Sequence, residues 1–277
     1  MNPSYPFQKI ILLLLPIVLL SCSPHHGKIN KTRDLGKWDT IAIERLLDNA
    51  NKIDDPGEKI DFLSAHFLLT PYRSNTLIGS AEIPEVFVLR LDRVDCFTFL
   101  DYIEALRRSS NFHEFVDNLH QVRYQQGQVN FLSRNHFFSL WGNTPLAPLR
   151  DITAQVGEKK TRWATKYLNQ NEKGDLFLPG YPVKKQTIAF IPGEEIDVTI
   201  LSRLHTGDYI GIYSPNPGLD VSHTGIVIKK GGTTFLRHAS SKWLRKRVRD
   251  VELLPYLAGE KGLIIYRAQR INYPLSQ

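Results

Sequence analysis

The chain has 277 residues, 42% of them hydrophobic and 23% charged, with a formal net charge of +7. That length holds one large domain or two small ones, and the absence of internal repeats and low-complexity tracts excludes a solenoid or a compositionally disordered chain. The modest positive balance suits anionic surfaces or carboxylate-bearing substrates without requiring either.

Met1 to Lys9 is polar with one positive charge, and Ile10 to Leu20 is apolar except for Pro16. The apolar run has the length of a signal-peptide core and is too short to span a bilayer. Leu19, Leu20, Ser21 and Cys22 resemble a bacterial lipobox, in which the cysteine receives diacylglycerol. On that reading residues 1–21 are a lipoprotein signal peptide, 22–36 a lipidated flexible tether and 37–277 a single folded domain. The alternative is an ordinary secretory signal cleaved nearby, with Cys22 incidental. Lipidation places the chain in the bacterial cell envelope, exported and membrane-anchored. Ser23 rather than Asp after the cysteine points to the outer membrane, facing the periplasm, where the envelope is Gram-negative. A nucleic-acid surface is not expected of such a protein. The densest basic run, Lys242 to Arg249, is read as a solvated strand edge whose charges oppose aggregation.

Helical periodicity opens the domain: Asp39 or Thr40 caps a helix bearing Ile41, Ile43, Leu46 and Leu47, and a second spans Ile60 to Leu69. Thr70, Pro71 and Tyr72 end it. Val86 to Leu91 is expected as a strand, followed by a helix from Cys96 to about Ser109 and another from Phe112 to Val122. The stretch from Asn143 to Pro192, broken by several Pro and Gly, is expected to be mostly loop with short pieces. Strands are expected at Asp208–Tyr213, Gly225–Lys229, Thr233–His238 and Gly262–Arg267, the middle two joined into a hairpin through Gly231 and Gly232. Helices first and strands later predict an α+β fold with an antiparallel sheet.

Two cysteines occur, and if lipid consumes Cys22, Cys96 has no intrachain partner in an oxidising compartment. Chemistry is the usual reason to keep such a thiol. Cys96 falls in the first turn of its helix, where the macrodipole favours an anion, and Asp95 is placed to cap that helix with its carboxylate on backbone amides. A histidine must then take the thiol proton and return it to a leaving group. Of nine histidines, His25 and His26 lie in the tether, His66 is spaced as core, His113 and His120 as helix surface, and His205 as loop. His136, His223 and His238 remain. The hairpin brings His223, near the start of one strand, beside His238 at the end of the next, so that one imidazole orients the other.

Asp95–Cys96, Ser222–His223–Thr224–Gly225 and His238–Ala239–Ser240 resemble the signature of NlpC/P60 cell-wall hydrolases, a papain-like superfamily. The chain is most similar to its DUF1460 branch, the N-acetylmuramoyl-L-alanine amidase-like family. Thr70–Pro71–Tyr72, Leu91–Phe99, Ser133–Phe137, Gly207–Asp208 and Gly218–His223 add to the likeness, which spans roughly Leu68 to Arg267. The resemblance implies a papain-like fold with Cys96 as nucleophile at the start of a central helix, His223 as general base and His238 as its orienting partner. Tyr72 matches a tyrosine that lines the catalytic centre. Arg134, Asn135 and His136 fall in a motif of this branch and are assigned to muropeptide recognition, Arg134 either gripping a carboxylate or bracing its loop. Phe97–Thr98 stands where the wider superfamily has a small Ser–Gly pair, which alters the oxyanion pocket.

The resemblance thus implies a monomeric cysteine amidase, without metal or cofactor, that cuts the bond between N-acetylmuramic acid and L-alanine in peptidoglycan fragments. Soluble anhydro-muropeptides of wall turnover and recycling are the expected substrates. Alternatives are a D-glutamyl–diaminopimelate endopeptidase, a papain-like lipid acyltransferase, or a binding lipoprotein with Cys96 as inert core.

Overall fold

The computed structural model describes residues 32–143, 149–242 and 245–270, which fall within one compact unit. The expected signal peptide, Cys22 and the tether as far as residue 31 lie outside the described residues. The end of the expected tether is already part of the fold. Arg33–Asp34 (β1) pairs in parallel with Leu89–Arg90 (β2), and Arg90 binds the Asp34 carboxylate at 2.9 Å.

The helical half follows from its caps and apolar stripes. Asp39 caps Thr40–Ala50 (α1), and Asp55 caps Pro56–Ala65 (α2), whose proline occupies a first-turn position that needs no amide proton. Helix α2 stops four residues short of the expected Leu69. Leu69 instead takes a positive φ of 70°, and the chain turns so that its amide donates to Val248 O and Val248 N donates to Thr70 O. Cys96–Arg107 (α3) and Phe112–Arg123 (α4) stand where the periodicity placed them. From Thr98 to Arg107 every residue of α3 is buried, as befits a central helix packed on all sides. Its buried charges are matched: Arg107 with Glu104 at 2.7 Å, and Asp101 with Arg123 at 2.8 Å. Phe138–Gly142 (α5) adds Phe138 and Trp141 to the same core.

The remainder builds an antiparallel sheet. Its strands are Leu149–Asp151 (β3), Arg162–Leu168 (β4), Lys184–Pro192 (β5), Tyr209–Tyr213 (β6), Val221–Lys230 (β7), Thr233–Ala239 (β8), Val248–Glu252 (β9) and Gly262–Ala268 (β10). The order is β4-β5-β10-β6-β7-β8-β9, with β3 also on β10. Alternation divides the core in two. Tyr209, Ile226, Ile228, Ile264 and Tyr266 pack toward the α3 side, while Ile210, Ile212, Val227, Leu263 and Ile265 meet the short helices Thr153–Gly157 (α6), Val198–Arg203 (α7) and Leu253–Leu257 (α8). The expected α+β class with an antiparallel sheet is what the chain forms.

Two expectations change. Between Asn143 and Pro192 the chain carries strands β4 and β5, of seven and nine residues, paired along their length. The expected strand Val86–Leu91 shrinks to Leu89–Arg90, with Val86 making a single bridge to Ile78. The β7–β8 hairpin is as expected: Lys230 faces Thr233, and Gly231 and Gly232 take φ of 57° and 78°, the left-handed pair that a two-residue turn demands. No helix among the described residues is long and apolar enough to cross a membrane.

Candidate active site

Cys96 is the first residue of α3 and is half-buried. Asp95 caps the helix, its Oδ1 accepting from Phe97 N at 3.1 Å and Thr98 N at 2.8 Å, while Thr98 Oγ1 accepts from Asp95 N. The cap leaves the Cys96 amide uncommitted, and this N–H acts on its own thiol as a donor. Burial, then the Asp95 carboxylate, push the thiol up to about 11; hydrogen bonds from Thr224 pull the other way without prevailing. The lowering expected from the helix dipole is therefore outweighed by desolvation.

Thr224 ties the thiol to the sheet. Its hydroxyl donates to Cys96 O at 2.8 Å, and its hydroxyl and backbone both interact with the thiol. The residue before it is His223. Ile212 faces His223 but Tyr213 faces Val221, so a bulge at Ser222 re-aims the strand immediately before the histidine. His223 Nε2 lies 2.7 Å from His238 Nδ1, the rings nearly perpendicular at 89°. Gly225 makes the room: a Cβ there would stand 2.9 Å from Arg237 O and 3.1 Å from His238 Cβ. Tyr256 of α8 packs edge-on against His238, ring centroids 5.2 Å apart, and Lys242 sits 5.6 Å from the centroid of the Tyr256 ring. Burial, with Lys242 beside it, lowers His223 to about 4. His238 falls to about 3, first through burial, then through the neighbouring charges of His223, Arg249 and Lys242. Both imidazoles are thus neutral at pH 7. Among the described residues no hydrogen bond joins the Cys96 sulfur to His223; unliganded sites commonly hold such pairs loosely until substrate tightens them.

Tyr72 is stitched into the same wall: its amide donates to Lys246 O at 2.9 Å, and it bridges in parallel to Val94. Burial, Cys96 and Asp95 all raise its phenol. Against the α3 start lies a cavity of about 450 Å³, lined by Asp95, Phe97, Thr98, Arg134, Asn135 and His136 among others. Cys96 itself adjoins it rather than lining it.

These residues sit within the span matched by one family model. The model for the AmiA-like family, described as N-acetylmuramoyl-L-alanine amidase-like, matches residues 62–263. The chain belongs to the AmiA-like family. A Legionella pneumophila protein described under DUF1460 shares its fold, with a TM-score of 0.69 at 23% identity over 82% of this chain and 93% of that one. A Bacteroides uniformis N-acetylmuramoyl-L-alanine amidase superimposes with a TM-score of 0.65 at 25% identity, covering 78% of this chain and 99% of its own. No curated protein matches. Membership makes this an amidase-like, peptidoglycan-related hydrolase by class.

Within this AmiA-like site the Arg134–His136 motif is built differently from an open carboxylate clamp. Arg134 Nη1 already holds both oxygens of Glu85, at 2.9 and 3.0 Å, and Nη2 reaches Gly79 O. The alternative of a loop brace describes this geometry. Asn135 is buried, its Nδ2 donating to Val122 O at 3.0 Å while its Oδ1 has no partner among the described residues. His136 donates from Nε2 to Phe131 O at 2.8 Å and packs edge-on against Tyr181; burial lowers it to about 4. Asp95, Cys96, His223 and His238 converge at one end of β7, with Tyr72 beside them, whereas Arg134–His136 face the adjoining cavity. Thr224 and Gly225 were quoted in the sequence reading only as part of the His223 string and Lys242 only as part of a basic run, none with a role at the site, and Glu85 and Tyr256 were not singled out. The first two stand in the His223 string itself, where a hydroxyl and a glycine beside the base were the available signal. The others meet the site only through tertiary contacts.

Proposed function

We propose that this protein is an exported, lipid-anchored cysteine amidase of the papain-like NlpC/P60 type, hydrolysing the bond between N-acetylmuramic acid and L-alanine in soluble peptidoglycan fragments. The observation that carries the reading is the 2.7 Å contact between His223 and His238 on the strand whose next residue, Thr224, holds the Cys96 turn. Thiol and imidazole rest neutral, so the proton moves as attack occurs rather than beforehand. The Cys96 sulfur adds to the lactyl carbonyl as His223 takes its proton, and the Cys96 amide is positioned to donate to the oxyanion. His223 then protonates the alanine nitrogen, the C–N bond breaks, and a thioester to the lactyl group remains. A water, deprotonated by His223, attacks the thioester; the lactyl carboxylate leaves and the thiol recovers its proton. His238 holds His223 in the orientation both halves need.

The test is digestion of a defined anhydro-muropeptide with product masses measured. Release of the intact sugar and a peptide beginning with L-alanine is expected, and Cys96→Ala should abolish it. A product cut after D-glutamate would make the enzyme an endopeptidase instead. Full turnover by Cys96→Ala would leave only a binding protein. For the anchor, Cys22→Ser is expected to move the protein from the membrane to the soluble periplasmic fraction.

A further inference from the structure

The two regions that adjoin the thiol, the cavity lined by its neighbours Asp95 and Phe97 and the imidazole pair, differ in charge, and the difference assigns an orientation to the substrate. The cavity beside Asp95 and Phe97 offers no free cation: Arg123 is paired with Asp101 at 2.8 Å and Arg134 with Glu85 at 2.9 Å. What it does present is acidic or neutral: the carboxylates of Glu82 and Asp95 line it. Asn135 Oδ1 and Thr76 Oγ1 are buried polar atoms without partners among the described residues, and Phe97 and Phe131 also line it. Such a lining suits hydroxyl and amide groups on an uncharged body, because each unpaired buried polar atom gains a partner when one binds.

The imidazole side is the reverse. Lys242 lies over Tyr256, whose ring packs on His238 and lies 6.3 Å from that of His223. The charges of Arg245 and Arg247 act on Arg249, which is paired with His238 across the β8–β9 ladder. Among the described residues none of Lys242, Arg245, Arg247 and Arg249 is in an ion pair with a carboxylate. Four cations so close repel one another, and that cost is relieved by anionic groups arriving together.

Resting on the amidase reading above, we infer that the basic segment holding Lys242, Arg245, Arg247 and Arg249 binds the carboxylates of the departing peptide stem, while the cavity, which has carboxylates but no free cation, takes the sugar. The chemistry fixes which half goes where. The acyl portion stays on sulfur, but the leaving nitrogen must reach His223, so whatever is attached to that nitrogen extends past the imidazoles toward Tyr256 and Lys242. In a peptide stem the attached groups are the D-glutamate and diaminopimelate carboxylates. A strand edge charged only against aggregation would be indifferent to them.

The experiment compares two anhydro-muropeptides, one with free stem carboxylates and one with those carboxylates amidated. Each is cleaved by wild type and by the exposed-site double variant Arg245→Glu/Arg247→Glu. Wild type should favour the free acid at least tenfold in kcat/KM, and 300 mM salt should shrink the preference. The double variant should lose that preference by raising KM for the free acid alone, leaving turnover of the amidated substrate intact. Equal handling of both substrates by wild type, or equal loss on both in the variant, overturns the inference while leaving the amidase reading standing. If neither substrate is cut, that reading fails, and calorimetric binding of the free L-alanyl peptide to wild type decides this one: tenfold weaker binding on amidation or on charge reversal supports it, and unchanged binding overturns it. Peptide affinity that survives charge reversal while binding to vesicles of anionic phospholipid is lost would also overturn it, in favour of a membrane-facing role.

Discussion

His223 Nε2 and His238 Nδ1 lie 2.7 Å apart in near-perpendicular rings, so one nitrogen donates and the other accepts. If His223 is to take a proton from Cys96 on Nδ1, its own proton sits on Nε2 and His238 Nδ1 is the acceptor. His238 then carries its proton on Nε2, a buried atom with no partner among the described residues. What His223 needs from its neighbour is one lone pair in one place. The Oδ1 of asparagine can supply that lone pair, and alanine cannot. His238→Ala is expected to lower kcat about 10²–10⁴-fold, and His238→Asn to restore most of it with little change in KM. Equal loss in both variants would mean that His238 acts otherwise than as an acceptor.

The thiol makes a second, separable prediction. Held at about 11 by burial and by Asp95, Cys96 should react with iodoacetamide slowly at pH 7 and about tenfold faster per pH unit above it. Asp95→Asn keeps a capping oxygen and removes the charge, so alkylation at pH 8 should accelerate several-fold with little loss of stability. A rate already at plateau below pH 7 would reveal a preformed thiolate–imidazolium pair and sink the neutral-pair mechanism.

How much of this was legible beforehand depended on the range of the signal. The His223–His238 contact follows from local chemistry, because Gly231 and Gly232 leave few other registers for their strands. The α3 start was equally readable, since Asp95 and Thr98 act within one turn. Strands β4 and β5 were hidden because exposed Arg162, Trp163, Lys184 and Lys185 occupy both faces at one end of each strand, which blurs the alternation, and their pairing is worth more than their hydropathy suggests. The commitment of Arg134 to Glu85 spans 49 positions and joins two irregular segments, so no local pattern announces it.

His136 should leave a mark on stability against pH. Its pKa is about 4 in the folded protein, below the usual value near 6.5. Between those values the unfolded chain takes up a proton that the folded one refuses, so stability falls as pH drops from 6.5 to 4 and then levels off. The slope is about 1.4 kcal/mol per pH unit at most for this group, with His223 and His238 acting in the same direction. His136→Gln can still donate to Phe131 O but cannot ionise. Its Tm is expected to change less than that of wild type between pH 7 and pH 4.5, and an identical change would place the lost stability elsewhere.

Glu85 and Arg134 form a pair whose side chains are 1% and 13% exposed. Tyr124 also donates to Glu85, at 2.9 Å. Removing one member of such a pair strands the other, at a cost of about 3–5 kcal/mol when the pair is fully buried and less where water reaches the guanidinium. Glu85→Gln should therefore destabilise the fold by a few kcal/mol in urea unfolding, and Arg134→Lys by less, since an ammonium can still meet the carboxylate but lacks the second arm of the fork that reaches Gly79 O. If bracing is the role of Arg134, the double variant Glu85→Gln/Arg134→Gln should cost less than the two single losses combined, and the surviving folded enzyme should keep its kcat. A variant that folds with wild-type stability but loses affinity for muropeptide would return Arg134 to direct recognition of substrate.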